Sequence, residues 1–415
     1  MSTRDAIRTF LWNSARDAQR TLRGKPLALV PLAGATLDRR DVAIASAWRD
    51  RPDRWLDPEP VRAYERAFAR WNASRHAFAF GKGRVALSGI ISAMGLGPGD
   101  EVIIPGFTCV VVPNAFRFAG VTVRFADIEL DTYGPSVDAI RRLVSARTKA
   151  VLVHHLFGLV CLDYDRILDL CHTRRIRVIE DCAHATGARY RGQRIGHFGD
   201  AAFYSSEHSK VFSTVQGGMA TTNDPELARG LAEFQRSSSP LDPGTLSRLL
   251  RTCRKDYLTN AHPHRALIRH PAALCMSSSA VASTTADEVR GNRPDNYRLS
   301  LAAPLAELGL SQLSKLDSLN ARRRRQAAKW REWAEERGYG APWIAPESEP
   351  VFLRYPLTVP AAVKRRPRVI EEELGVECGV WFSSPLHPSP ERVEGCPNAY
   401  TAVETCVNLP CLVPE

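Results

Sequence analysis

The strongest constraint on this chain is an alternation that runs from residue 77 to residue 223. AFAF (77–80), EVIIP (101–105), VTVRFADI (121–128), KAVLVHHLFG (149–158), IRVIED (176–181), DAAFY (200–204) and MATTN (219–223) are apolar runs of strand length. Between several of them lie RVALSGIISAM (84–94), SVDAIRRLVS (136–145) and DYDRILDLCHTRR (163–175), whose apolar residues recur every three or four positions. Strands separated by helical segments of 10–15 residues predict a mostly parallel sheet with helices on both faces. Such a sheet binds its ligands in the crevice outside the carboxyl ends of the strands.

Two of those strand ends, and the loop after the second, carry chemistry. The 176–181 run stops at Glu180 and Asp181, the 200–204 run stops at Ser205 and Ser206, and Lys210 follows, with Gly217 and Gly218 just beyond. A carboxylate, hydroxyls and a lysine converging on one crevice suit pyridoxal phosphate. In that chemistry a lysine amine condenses with the aldehyde, a carboxylate pairs with the pyridinium nitrogen, and hydroxyls with backbone N–H groups hold the phosphate. The lysine must be partly neutral to attack a carbonyl, a state that burial or a cationic neighbour produces. Farther up the chain, GKG (81–83) turns into a helix. A glycine turn of this kind points free N–H groups and a helix dipole at an anion.

These stretches carry a family resemblance. EDCAHATGARYRG (180–192), GHFGDAAFYSSEHSK (196–210) and GDEVIIPGFTC (99–109) resemble the DegT/DnrJ/EryC1/StrS sugar aminotransferases. These are fold-type I pyridoxal phosphate enzymes of amino-sugar biosynthesis. The resemblance implies an α/β fold: a large, mixed but mostly parallel sheet domain with helices on both faces, and a small α+β C-terminal domain. It implies Lys210 as the Schiff-base lysine, Asp181 as the pyridinium partner, Ser205 as a phosphate contact and His184 beside the ring. GKG falls on the family's Ser-Gly-Thr phosphate loop, with Gly83 on the glycine and Arg84 where Thr or Ser is usual; an arginine fork also grips phosphate. Cys109 replaces the aromatic residue commonly stacked on the ring, so stacking must come from elsewhere, with His184 as the candidate on one face.

The C-terminal half continues the resemblance. Asn296-Tyr297-Arg298, which approaches the neighbouring subunit's site in the family, makes Asn296 and Arg298 candidate contacts across a homodimer interface. QLSKLD (312–317), Pro385-x-His387 near the substrate mouth, and CPNAYTAVETCVNLPC (396–411) match as well. Residues 296–338 read as one long helical stretch, followed by strands in 351–359 and 375–382 around a helix at 368–375. The chain stops where the family adds a final helix, leaving an edge that is uncovered or completed by another element. His155 matches a family position and reads as structural, and the 322–325 arginine run reads as a solvated helix face.

The expected division is an N-terminal extension (1–59), a large cofactor-binding domain (60–235), a loop-rich insertion of unclear structure (236–295), and a linking helix with the small domain (296–415). The insertion is basic, with nine Arg/Lys against five Asp/Glu. Its His262, His264 and His270 lack an accompanying carboxylate or cysteine at metal-ligand spacing, so no metal is expected.

Composition narrows the class. The chain has 415 residues, 44% hydrophobic and 24% charged, ordinary values for a soluble globular protein. No apolar run approaches the roughly 20 residues of a spanning helix. Residues 1–20 lack the continuous apolar core of a secretory signal. A basic amphipathic pattern there (Ile7, Phe10, Leu11, Ala15, Ala18, Leu22) packs on protein more often than on membrane. Ten scattered cysteines without a CxxC pair point to reduced thiols and a cytoplasmic setting. The net charge of +11 comes without a nucleic-acid-binding motif and suits a diphosphate-bearing substrate equally well. The resulting expectation is an aminotransferase passing nitrogen from an amino acid such as glutamate to a keto group, that of a nucleotide-linked sugar. Two alternatives remain at this level: a sugar dehydratase or other carbanion chemistry, which retention of the lysine disfavours, and a cofactor-binding regulatory protein without turnover.

Overall fold

The apolar runs become one sheet because each is too short to bury its backbone alone and the helices between them return the chain to the same edge. The computed structural model describes residues 28–32, 35–262 and 283–413, together with positions 15, 22, 264, 267 and 268. Most of the basic N-terminal segment, and His270 of the histidine trio, lie outside them. The sheet strands are β1 (His76–Phe80), β2 (Glu101–Pro105), β3 (Thr122–Ala126), β4 (Thr148–His154), β5 (Arg177–Asp181), β6 (Ala201–Ser205) and β7 (Gly218–Thr222). Their order is β1-β7-β6-β5-β4-β2-β3. From β6 to β3 every pairing is parallel.

Only β7 runs against its neighbours, pairing antiparallel with both β6 and β1. A parallel neighbour needs a crossover, usually a helix. Here the chain between β6 and β7 is the Lys210 loop, closed on itself by the Ser206 N–H donating to the Gly217 carbonyl at 3.1 Å. The lysine therefore sits in a return loop at the carboxyl end of the sheet.

Alternate residues serve opposite faces. Val102 and Ile104 join Leu152, Ile179 and Phe203 on one side, under α3 (Gly83–Ala93) and α5 (Pro225–Arg236). Ile103 joins Val151, Val153 and Val178 on the other, over Tyr164 and Ile167 of α4 (Tyr164–Arg174). Both faces are thus covered, as a parallel sheet requires.

Elsewhere the structure departs from the sequence expectation. Within 236–295 a fourteen-residue helix, α6 (Pro243–Asp256), stands where loop was expected. Asp242 caps it by accepting from the Thr245 N–H at 2.8 Å, and Leu246, Leu249, Leu250 and Cys253 bury one face. Those four apolar positions have helical spacing, hidden among arginines. The stretch 296–338 is two helices, α7 (Ala303–Leu313) and α8 (Leu316–Glu336). At the break, Lys315 reaches Asp38 and Asp41, 2.6 Å from each. Asp41, inside α1 (Arg39–Arg49), also accepts from Ser311 and Gln312, which fastens that helix to α7. The 149–158 run is strand only to His154, and Leu156–Gly158 is a 3-10 turn.

In the C-terminal part β8 (Arg354–Thr358) pairs antiparallel with β9 (Cys406–Pro410). Residues 375–382 form no strand, only single bridges from Val376 to Val30 and from Gly379 to Asn408. Val30 donates to the Gly375 carbonyl (3.0 Å) and accepts from the Glu377 N–H (2.8 Å), so the edge is completed by the N-terminal chain. Leu386–His387 pairs with Thr108–Cys109, drawing the C-terminal part against the end of the large sheet.

Candidate active site

A cavity of about 340 Å³ opens at the carboxyl ends of β5 and β6. One end is built by the turn from β1 into α3. Lys82 is the N-cap of α3 and makes no side-chain cap, so the N–H groups of Gly83 and Arg84 find no acceptor among the described residues. Gly83 must be glycine by contact: a Cβ there would lie 2.9 Å from Cβ of Ser205. The Gly218 position is tighter, its Cβ falling 2.4 Å from the Lys82 carbonyl. The close approach of β6, β7 and the α3 turn makes a cradle of N–H groups and the Ser205 hydroxyl, with the Lys82 amine beside it. Burial foremost, then the charge of Arg84, brings the Lys82 amine down to about 8.

The floor holds the acid and the lysine. Asp181 is buried at the end of β5 and accepts from the Ala183 N–H at 3.0 Å. Burial raises its carboxyl to about 6, against the lowering pull of that N–H and of Lys210. Lys210 Nζ lies 3.0 Å from His184 Nε2. The Phe157 N–H donates to His184 Nδ1 at 3.3 Å, and burial, then Lys210, holds this ring well below its ordinary value. The ring thus takes the Phe157 N–H on Nδ1 and turns Nε2 toward the lysine. Behind the floor, Glu180 is saturated by Tyr164 Oη and the N–H groups of Gly196, Phe198 and Gly199, with His155 Nε2 at 3.4 Å.

The third wall comes from the C-terminal part. Trp381 and His387 line the cavity with Cys109. The Trp381 and His184 rings lie within 17° of parallel, their centroids 6.5 Å apart. Burial, then the charges of Arg354 and Lys210, holds His387 at about 4. Nothing in the spacing around Trp381 marks it as a wall of the site, and Lys82 and Glu207, which also line the cavity, lie inside the motifs GKG and GHFGDAAFYSSEHSK without being singled out there as site residues.

Three expected residues are placed differently from the rest. The Arg84 guanidinium is engaged by Glu288, the Ser283 carbonyl and the Thr284 hydroxyl. Only its backbone N–H faces the cradle unpaired. Asn296 and Arg298 do not line this cavity. Arg298 lies over the Phe234 ring at 4.5 Å, beside a separate cleft shared with Tyr297. His262 and His264 sit with ring centroids 5.7 Å apart, and no metal-ligating cluster among the described residues includes them.

The model of the DegT/DnrJ/EryC1/StrS aminotransferase family matches residues 45–246 and 267–414. The chain belongs to that family. The match reaches into the segment 236–295, expected to be an insertion, and leaves only 247–266 of that segment unmatched. GDP-perosamine synthase of Caulobacter vibrioides is 41% identical over 165 residues, 40% of this chain and 44% of that protein. L-glutamine:2-deoxy-scyllo-inosose aminotransferase of Streptomyces kanamyceticus is 34% identical over 222 residues, 52% of this chain and 50% of that one. The matched region spans about half the length of these curated relatives. Escherichia coli GDP-4-keto-6-deoxy-D-mannose-3-dehydratase, solved with bound hydrated PLP, superposes with a TM-score of 0.71 at 20% identity, over 92% of this chain and 95% of that one. At that identity the likeness shows the fold alone.

The residues present in this DegT/DnrJ/EryC1/StrS protein fit pyridoxal 5′-phosphate. The unpaired N–H groups of Gly83 and Arg84 with Ser205 offer donors to a phosphate. The buried Asp181, whose carboxyl is costly to ionise alone, offers a partner to a cationic ring nitrogen. Lys210 offers an amine to its aldehyde.

Proposed function

We propose that the chain is a pyridoxal phosphate-dependent aminotransferase. It takes nitrogen from an amino-acid donor, glutamate first among them, and delivers it to a keto group of a nucleotide-linked sugar. One observation carries the reading: the Lys210 amine, the buried Asp181 carboxyl and the unpaired N–H groups of α3 converge on a single cavity.

Bound there, the cofactor supplies an aldehyde that amines condense with and a ring that takes up an electron pair. The chain supplies the rest. Gly83 and Arg84, through their N–H groups, and Ser205 hold the phosphate. Asp181 would keep the ring nitrogen protonated, and His184 would stand beside the ring. Lys210 would hold the aldehyde, and its Nζ would carry a proton to and from the reacting carbon. His387 stands at the sugar side of the cavity. The proposed assembly is a homodimer in the cytoplasm, with Asn296 and Arg298 serving the neighbouring subunit's site. Consistent with that setting, no helix among the described residues is long and apolar enough to cross a membrane.

The test is to load the purified protein with pyridoxal phosphate, add glutamate, and follow loss of the yellow colour with release of 2-oxoglutarate. A second addition, of nucleotide-linked keto sugars, should restore the colour. A protein that takes up the cofactor yet releases no 2-oxoglutarate from glutamate, or the corresponding keto acid from any other amino acid, is not a transaminase.

A further inference from the structure

The arginine run 322–325, expected to be a solvated helix face, does not lie wholly in water. Arg323 is 1% exposed and Asn320 is 2% exposed, both in the buried stripe of α8 between Leu316 and Ala327. Such a stripe ordinarily carries apolar side chains. Taking a guanidinium out of water is costly unless carboxylates or several hydrogen bonds replace the lost hydration. Among the described residues no carboxylate pairs with Arg323, and its Nε is enclosed and unpartnered. Burial brings its pKa down to about 10, so it stays a cation at neutral pH. An apolar side chain of similar length would avoid that cost.

What the two side chains do is join two turns of the active site from behind. Arg323 Nη2 donates to the Val211 carbonyl at 2.5 Å, and Nη1 donates to Asn320 Oδ1 at 2.8 Å. Asn320 Nδ2 donates in turn to the Thr186 carbonyl at 3.1 Å. Val211 follows Lys210, and Thr186 is two residues past His184. On the cavity side the same turns meet through Lys210 Nζ and His184 Nε2, 3.0 Å apart. They are thus held at both faces, by that contact in front and by the Arg323–Asn320 bridge behind. Gly187 makes room for the bridge: its φ is +93°, and a Cβ there would lie 2.6 Å from Asn320 Nδ2. From α7, Gln312 Oε1 adds a further hold on the lysine loop, accepting from the Ser213 N–H at 3.2 Å.

We infer that Arg323 and Asn320 are positioning residues, which set where the Lys210 amine stands relative to the cofactor's aldehyde. The inference rests on the reading of the cavity as a pyridoxal phosphate site. Neither side chain lines that cavity, so both act through the backbone of the turns they hold. A lysine side chain has much rotamer freedom to lose. Fixing the carbonyl beside it and the histidine opposite it narrows the arc that Nζ can sweep. Near-attack geometry tolerates little displacement, and an error of about 1 Å can cost about 100-fold in rate. A fork with two donors suits the task, because one guanidinium serves a carbonyl and a side-chain amide at once.

The experiment separates capture of the cofactor from its binding, using the full chain. Pyridoxine 5′-phosphate has the ring and the phosphate but no aldehyde, so its dissociation constant reports binding alone. At saturating pyridoxal phosphate, the rate of adduct formation on Lys210 is read by borohydride quenching and mass spectrometry. Arg323→Met should slow capture at least tenfold and leave the pyridoxine phosphate dissociation constant within twofold. Asn320→Ala, which breaks the bridge at its middle without removing a charge, should do the same and is the variant read if the methionine chain fails to fold. Unchanged capture in both variants overturns the assignment. So does slower capture matched by an equal loss of pyridoxine phosphate affinity, which marks the two residues as structural only. A parent that yields no trapped adduct on Lys210 removes the cofactor reading itself, whereas an adduct in the parent with capture unchanged in the variants removes only the role of Arg323 and Asn320.

Discussion

The Arg84 guanidinium and the Glu288 carboxylate form an ion pair with side chains only 7% and 3% exposed, fastening the first turn of α3 to residues 283–288. The same segment accepts from Lys82 Nζ through the Ser283 carbonyl at 3.2 Å and from Asn114 through the Glu288 carbonyl at 2.7 Å. Against burial, the Arg84 charge holds the Glu288 carboxyl below its ordinary value. Removing one member of such a pair leaves a buried charge uncompensated, at a cost of about 3 kcal/mol or more. Glu288→Gln is therefore expected to lower stability in urea by about that much. Arg84→Met combined with Glu288→Leu should recover most of the loss.

Gly218 is expected to be intolerant of any side chain. A Cβ there meets the Lys82 carbonyl at 2.4 Å, backbone against backbone, so the turn that holds the cradle must move. Gly218→Ala should cost about 1–3 kcal/mol and weaken pyridoxal phosphate binding at least tenfold in a fluorescence titration. Gly97→Ala, where a Cβ meets nothing within 4 Å, is the control and should change neither.

Asp181 makes the cofactor-free protein sensitive to pH in a definite direction. Its folded-state pKa is raised from 3.8 to about 6, so between those values the native state holds a proton that the unfolded state has lost. Stability from this group is full below 3.8 and is lost as pH rises through about 6, a change of roughly 3 kcal/mol. Asp181→Asn keeps an oxygen for the Ala183 N–H and lacks the titration. Its stability advantage over the parent should grow from pH 4 to pH 7 and then level off, as read by urea unfolding. A constant difference across that range would contradict the assignment.

Lys82 should make cofactor affinity fall on the alkaline side. Its amine titrates near 8, so it is cationic beside the phosphate cradle at pH 7 and mostly neutral at pH 9. The parent is expected to bind pyridoxal phosphate several-fold more tightly than Lys82→Met at pH 7, with the gap closing by pH 9 in equilibrium dialysis.

Local pattern carries far in this chain. Runs such as EVIIP and RVIED state their own strand ends because side-chain alternation and helix period depend on neighbours a few residues away. Asp181, Ser205 and Lys210 are legible for the same reason: they stand at those ends. The reversal of β7 is less legible, since nothing in MATTN says which way a strand runs; the short Lys210 loop decides it. Helix α6 was obscured because four apolar residues among arginines look like a basic loop until α1 supplies something to pack on.

What residue order alone determined is the βα frame and the chemistry placed at its edge. What the tertiary structure decided is the company those groups keep: Arg84 with Glu288, 204 residues away, His184 against Lys210, and Arg354 stacked on Trp381. Strand and helix periods are set by contacts along the chain. Burial and the pairing of charges are set by contacts across it, and these exist only once the chain has folded.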